Sequence, residues 1–172
     1  MEYADFLETK ALVALPSGRD VDPGEIHRSL FPFQRDMTRY ALRKGRAALF
    51  AATGLGKTRM QLEFARLSGE RALIVAPLVV TRQTIREGAI LGLTIPYARN
   101  QAEAAVEGIT ITNYERVSGF DPGAFGCVVL DECFPAGTEI DTPGFQTVKR
   151  VQQPPQRDRG VGLVVEVCME VV

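Results

Sequence analysis

Apolar residues recur at helical spacing from Pro32 to Lys44, where Phe33, Met37, Tyr40 and Ala41 share one face. Pro32 opens this segment and Gly45 closes it, as helix starts and stops require. The polar face is basic, with Arg35, Arg39 and Arg43. Beyond Gly45 the pattern changes to short apolar runs separated by longer mixed stretches. Ala47–Phe50 precedes a glycine-rich turn and a helical stretch from Lys57 to Leu67, and Ala72–Ala76 precedes Pro77 and a helix through Thr84 to Ile90. Ile109–Thr112 leads into a short helix from Tyr114 to Val117, and Cys127–Leu130 ends in Asp131 and Glu132. Short, largely apolar strands alternating with helices predict a parallel sheet buried on both faces, and hence an α/β fold.

The two ends of the chain read differently. From Tyr3 to Ser29 the text is broken by Pro16, Gly18, Pro23 and Gly24, which predicts a short helix and then an irregular lead-in. After Glu132 charge is thin and no helical period appears; Pro154-Pro155, Gly160 and Gly162 read as loop before an apolar end. Residues 133–172 are too few to bury a core of their own. Valine-rich Gly160–Val172 is expected to pair as an edge strand, and to be an aggregation hazard if it does not. The organisation is therefore a lead-in (1–29), a main unit (30–132) and a tail (133–172).

Composition narrows the class. With 172 residues, 45% of them hydrophobic and 24% charged, the chain is an ordinary globular one, which excludes the disordered and collagen-like classes. A net charge of −1 removes any global basic excess, so a nucleic-acid partner would have to be met by a local patch. Cys127, Cys133 and Cys168 are odd in number and form no CxxC pair, which points to a reducing compartment rather than a disulfide framework. The first ten residues carry Glu2, Asp5 and Glu8 and lack the order of a signal peptide, and no apolar run approaches the ~18 residues of a membrane span. A cytoplasmic protein without membrane partners is expected.

Candidate chemistry concentrates at two places. Ala51-Ala-Thr-Gly-Leu-Gly-Lys-Thr58 fits a phosphate loop and lies between a predicted strand and a predicted helix. Successive N–H groups of Thr53, Gly54, Leu55 and Gly56 must curl around a phosphate, which bulky side chains at the glycine positions would prevent. Lys57 supplies a mobile positive charge for the β- and γ-phosphates, and the Thr58 hydroxyl is a Mg²⁺ ligand. Downstream, Cys127–Leu130 delivers Asp131 and Glu132 to the carboxyl end of a strand, where parallel sheets bind ligands. Asp131 would reach Mg²⁺ through water, and Glu132 would orient and polarise the attacking water.

At these residues the chain resembles the first RecA-like lobe of superfamily 2 helicases, especially the Swi/Snf-like helicases of phages and prophages. Leu30-Phe-Pro-Phe-Gln-Arg-Asp36 is similar to the Q motif, which implies that Gln34 reads the adenine edge. Ala51–Thr58 is similar to motif I, Ile74–Pro77 with Thr81–Gln83 to motif Ia, Ile111–Tyr114 to a later DNA-contacting motif, and Val128–Glu132 to motif II. The resemblance spans about residues 30–132 and implies a RecA-like phosphate-loop lobe using ATP and Mg²⁺, with DNA favoured over RNA as partner. The family's third motif, second lobe and arginine fingers have no counterpart in this sequence, and hydrolysis coupled to movement needs both lobes.

Cys133-Phe-Pro-Ala-Gly-Thr-Glu-Ile140, with Thr142, Gly144 and Val148, resembles the first splicing block of an intein. In that reading Cys133 is the splicing nucleophile, its thiol attacking the Glu132 carbonyl to give a thioester. The family's Thr-x-x-His block and terminal His-Asn pair are missing, and the single histidine, His27, precedes Cys133. The tail then reads as a truncated or frame-disrupted intein segment, β-rich or irregular, with a short split-intein half as the lesser option. The leading expectation is an ATP-binding helicase lobe interrupted by an intein's start. The alternatives are a non-catalytic nucleotide-binding fragment, or another phosphate-loop NTPase, such as a small kinase, in which Cys133 sits in a structural loop.

Overall fold

The helical pattern that starts at Pro32 gives α1 (Pro32–Lys44), ended by Gly45 at φ 76°, whose N–H donates to the carbonyls of Ala41 and Leu42. Left-handed backbone of this kind is where glycine is favoured after a helix. The rest of the chain alternates β1 (Arg46–Ala52), α2 (Lys57–Leu67), β2 (Ala72–Val75), α3 (Leu78–Ile90), β3 (Ile109–Thr112) and β4 (Cys127–Asp131), followed by β5 (Val164–Val171). The computed structural model describes residues 18–52, 54–68 and 71–131 and the backbone of 164–171.

The fold is mixed α/β, with three strands paired in parallel. β2 lies between β3 and β4, with Ile74 level with Ile111 on one side and Val129 on the other. Alternation along these strands builds two cores. Ala72, Ile74, Ile109, Ile111, Cys127 and Val129 face the layer of α1, α2 and α3, where Leu42, Leu62 and Phe64 are buried. Leu73, Val75 and Val128 face the other way, under Ala98, Val117, Phe120 and Phe125 from the irregular segment between α3 and β4. On that side the Thr112 hydroxyl donates to the Ala98 carbonyl at 2.9 Å and the Thr110 hydroxyl accepts the Ala105 N–H at 3.0 Å, so two threonines sit in a fully buried strand with partners.

Two sequence expectations are corrected. The sheet order is β1-β5-β4-β2-β3, and β5 runs antiparallel to both of its neighbours, so the sheet is not parallel throughout. β1 and β4 point the same way but do not touch; β5 separates them. The valine-rich end is therefore an interior strand rather than an edge strand, because it has a row of backbone groups satisfied on each side. Among the described residues β1 holds the edge instead, and its burial alternates, with Leu49 and Ala51 inside and Phe50 51% exposed, whereas β2 is buried on both faces. The predicted short helix after Thr112 is a 3₁₀ turn, Tyr114–Gly119. In the lead-in the described part holds only the turn Pro23–Glu25; the helix expected nearer Tyr3 falls in residues 1–17, outside the described residues.

The basic face of α1 is used internally. Arg35 donates to the carbonyls of Arg28 and Leu30, and Arg39 to that of Val21. Residues 21–30, which lie outside any α-helix or strand, are thereby fastened to the helix. Glu63 of α2 does the same from beneath: fully buried, it accepts the His27 N–H at 2.6 Å and two bonds from Arg66, whose guanidinium also reaches the Glu25 carbonyl. The bond from Glu63 raises the Arg66 pKa above its ordinary value.

Candidate functional site

The turn between β1 and α2 takes the shape that its glycines permit. Gly54 and Gly56 sit at φ 85° and 73°, and Gly56 is the residue from which α2 begins. The positive φ of Gly56 favours glycine, and a Cβ there would lie 2.3 Å from Nε2 of Gln34 and push that amide aside. The N-terminus of α2 opens at this turn with no side chain capping it, which leaves N–H groups and the positive end of the helix dipole directed into the loop.

Gln34 is buried, and both ends of its amide are engaged by main chain. Its Oε1 accepts the Phe31 N–H at 2.9 Å, closing the start of α1, and its Nε2 donates to the Leu55 carbonyl at 2.9 Å. The residue expected to read a nucleobase is thus also the strut that ties α1 to the loop. Beside it the Phe31 and Phe33 rings are stacked, 6.3 Å between centroids and 8° between planes, and both are exposed, as is Leu55.

Lys57 folds back over the loop. Its Nζ donates to the carbonyls of Ala51 at 2.8 Å and Ala52 at 3.2 Å, the last residues of β1. Thr58 follows at the start of α2, half-buried. Asp131 lies at the carboxyl end of β4 and is 4% exposed. The register places Val167 of β5 opposite Leu49 on one side and Asp131 on the other, so the acid is level with the middle of β1 across two strand spacings, roughly 10 Å, and β1 runs on beyond it to Ala52.

What joins the two places is a residue that the sequence did not single out. Gln61, one turn beyond Lys57 on α2, is fully buried, and its Nε2 donates to Oδ2 of Asp131 at 3.0 Å, a contact between residues 70 apart in sequence. Tyr114 adds a second grip, its hydroxyl donating to the Asp131 carbonyl at 2.7 Å. Asn113, buried beside it, accepts the Tyr97 hydroxyl at 2.7 Å and donates to Glu115. The signal for Gln61 was its spacing, four residues after Lys57 and three after Thr58, which puts all three along one side of a helix.

Of the expected site residues, the structure brings Gln34, Gly54, Leu55, Gly56, Lys57 and Thr58 together at one loop, and α2 connects that loop to Asp131. Thr53, Glu132 and Cys133 lie outside the described residues, as does most of the tail expected to be intein-like. Among the described residues no helix is long and apolar enough to cross a membrane, and no group of three or more His, Cys, Asp or Glu side chains is placed to hold a metal. No protein-family model matches the chain, and no curated protein matches it in sequence.

Proposed function

We propose that this chain is the ATP-binding lobe of an ATP-dependent DNA or RNA helicase or translocase of the superfamily 2, Swi/Snf-like kind, with residues 133–172 the first segment of an intein. The observation that carries the nucleotide reading is the bond from Gln61 to Asp131, which couples the helix that begins at the glycine loop to the acid at the end of β4. A glycine turn with a surface lysine has no need of such a link. Nucleotide sites have, because phosphate and metal are bound at once from the loop and from the neighbouring acid.

In this reading the loop N–H groups and the α2 N-terminus receive the β-phosphate, and Lys57 exchanges two neutral carbonyls for phosphate oxygens, whose negative charge attracts the ammonium more strongly. Gln34 meets the adenine edge beside the exposed Phe31 and Phe33 rings. A Mg²⁺ ion suits the donor set. The Thr58 hydroxyl and the Asp131 carboxylate are hard oxygen ligands, and Mg²⁺ is bound through one or two such groups plus phosphates and water rather than in a cage of carboxylates. Bound there, the metal would neutralise developing charge on the phosphates, with Glu132 directing water. The nucleic-acid partner and the intein, with Cys133 as its nucleophile, are supported by the motifs of the sequence.

The test is calorimetric titration of Mg·ATP into the chain and into Lys57→Ala. Removing the cation while leaving the loop amides should weaken binding at least roughly tenfold, about 1.4 kcal/mol. Equal affinity in the two proteins would refute the phosphate-site assignment.

A further inference from the structure

Gln61 is an anomaly of packing. It sits in the middle of α2 between Met60 and Leu62, both buried, on a helix laid against the sheet. An amide there costs stability unless its polar atoms are paired. Only half of it is: Nε2 meets Asp131, while Oε1 is buried with no partner among the described residues. Turning the amide over would set Oε1 against the carboxylate, acceptor to acceptor, so Asp131 dictates the orientation and the unpaired oxygen is its consequence.

We infer that Gln61 is a positioning residue for the metal-binding carboxylate, an assignment that rests on the role proposed above for Asp131. A carboxylate oxygen that accepts an N–H is turned toward that donor and is less available to a cation. Held at Oδ2 in this way, the Asp131 carboxylate is fixed in its rotation relative to α2. Mg²⁺ demands near-ideal octahedral geometry, so the rotation of a single carboxylate matters to it more than to a larger, more tolerant cation such as Ca²⁺. Because Gln61 shares α2 with Lys57 and Thr58, the side chain that orients the acid moves with the side chains that meet phosphate and metal. Groups that orient a ligand in this manner change metal affinity by about 10–100-fold when removed.

The probe is a fluorescent N-methylanthraniloyl-ADP, titrated into the full chain over a range of Mg²⁺ or Ca²⁺ concentrations and read by anisotropy, together with thermal melts. Gln61→Met keeps length and bulk, deletes the bond to Asp131 and also removes the unpaired oxygen. It should raise the Mg²⁺ concentration at half-maximal effect by about tenfold. Metal-free nucleotide affinity should stay within about twofold, and the preference for Mg²⁺ over Ca²⁺ should shrink. Gln61→Asn, which draws the amide back by one methylene, carries the same readout if the methionine variant does not fold. An unshifted Mg²⁺ requirement in a folded variant, whatever happens to its melting temperature, would mean that Gln61 is structural only and would overturn the inference. If the unaltered chain bound the nucleotide equally well with and without Mg²⁺, the metal role of Asp131 would fall first, and this assignment with it.

Discussion

β1 and β4 point the same way, β1 running on past the level of Asp131 to Ala52, yet the two halves of the site that they carry are built on opposite principles. Asp131, at the end of β4, is buried, held at its side chain by Gln61 and at its carbonyl by Tyr114. The loop after β1 is open: Phe50 and Leu55 are exposed, Lys57 rests on two carbonyls, and the backbone shape depends on glycines at positive φ. The acid is positioned before any ligand arrives, whereas the loop is free to rearrange around one. A preorganised charge costs no reorganisation when the ligand binds, and an adaptable cradle lets phosphate displace the contacts that hold it shut.

The largest effect that would separate or merge these halves is expected at Glu63, because α2 serves both. Glu63→Ala removes a buried carboxylate that accepts the His27 N–H and the Arg66 guanidinium, and should destabilise the chain by about 2–3 kcal/mol. The melting temperature should drop by roughly 5–10 °C, and nucleotide affinity should fall only as the unfolded fraction rises. A selective loss of binding, with no change in the melt, would show that the two halves are not joined through a common rigid helix.

Gly56→Val sharpens the contrast from the loop side. The substitution forces a β-branched residue into left-handed backbone and drives its Cβ into the Gln34 amide that braces Leu55. Strain and the lost bond together amount to about 2 kcal/mol, so Mg·ATP affinity measured by calorimetry should weaken by about thirtyfold. If the loop is adaptive, the thermal midpoint should change far less than the affinity does.

The smallest effect belongs to the acid side. Tyr114→Phe deletes one hydrogen bond to the Asp131 carbonyl and should lower the unfolding free energy by about 1 kcal/mol in a denaturant titration. With Gln61 still holding the carboxylate, nucleotide affinity should remain within about twofold. A tenfold loss would mean that the main chain, rather than the Gln61 amide, sets the carboxylate's place.

Local signals account for what could be read in advance. Pro32 and Gly45 bracket α1, the apolar run and glycines set β1 and the turn, and Ile109–Thr112 and Cys127–Leu130 stand out as short apolar strands; the structure places all of these within a residue or two. The loop and Asp131 were legible for the same reason, being consecutive residues with a fixed chemical pattern. Gln61 and Glu63 were not, because polar residues in a helix ordinarily mark its wet face, and here both point inward to partners that lie far away in sequence. The position of β5 was hidden for a related reason. Its valines announce a strand, but no local feature states which edges it joins, and pairing Val167 with both Leu49 and Asp131 is a property of the assembled sheet.

That interior strand also sets an order of events on the ribosome. Among the described residues β1 pairs with β5 alone, so the loop half is joined to the rest of the sheet by a segment made after both the loop and the acid have been synthesised. At about 5–20 residues per second, β5 follows β4 by roughly 2–8 s. During that interval the facing edges of β1 and β4 both lie unpaired, and each is a template for a strand from another nascent chain. The danger of mispairing in this molecule thus falls on the emerging polypeptide, and it ends when Val164–Val171 takes its place between them.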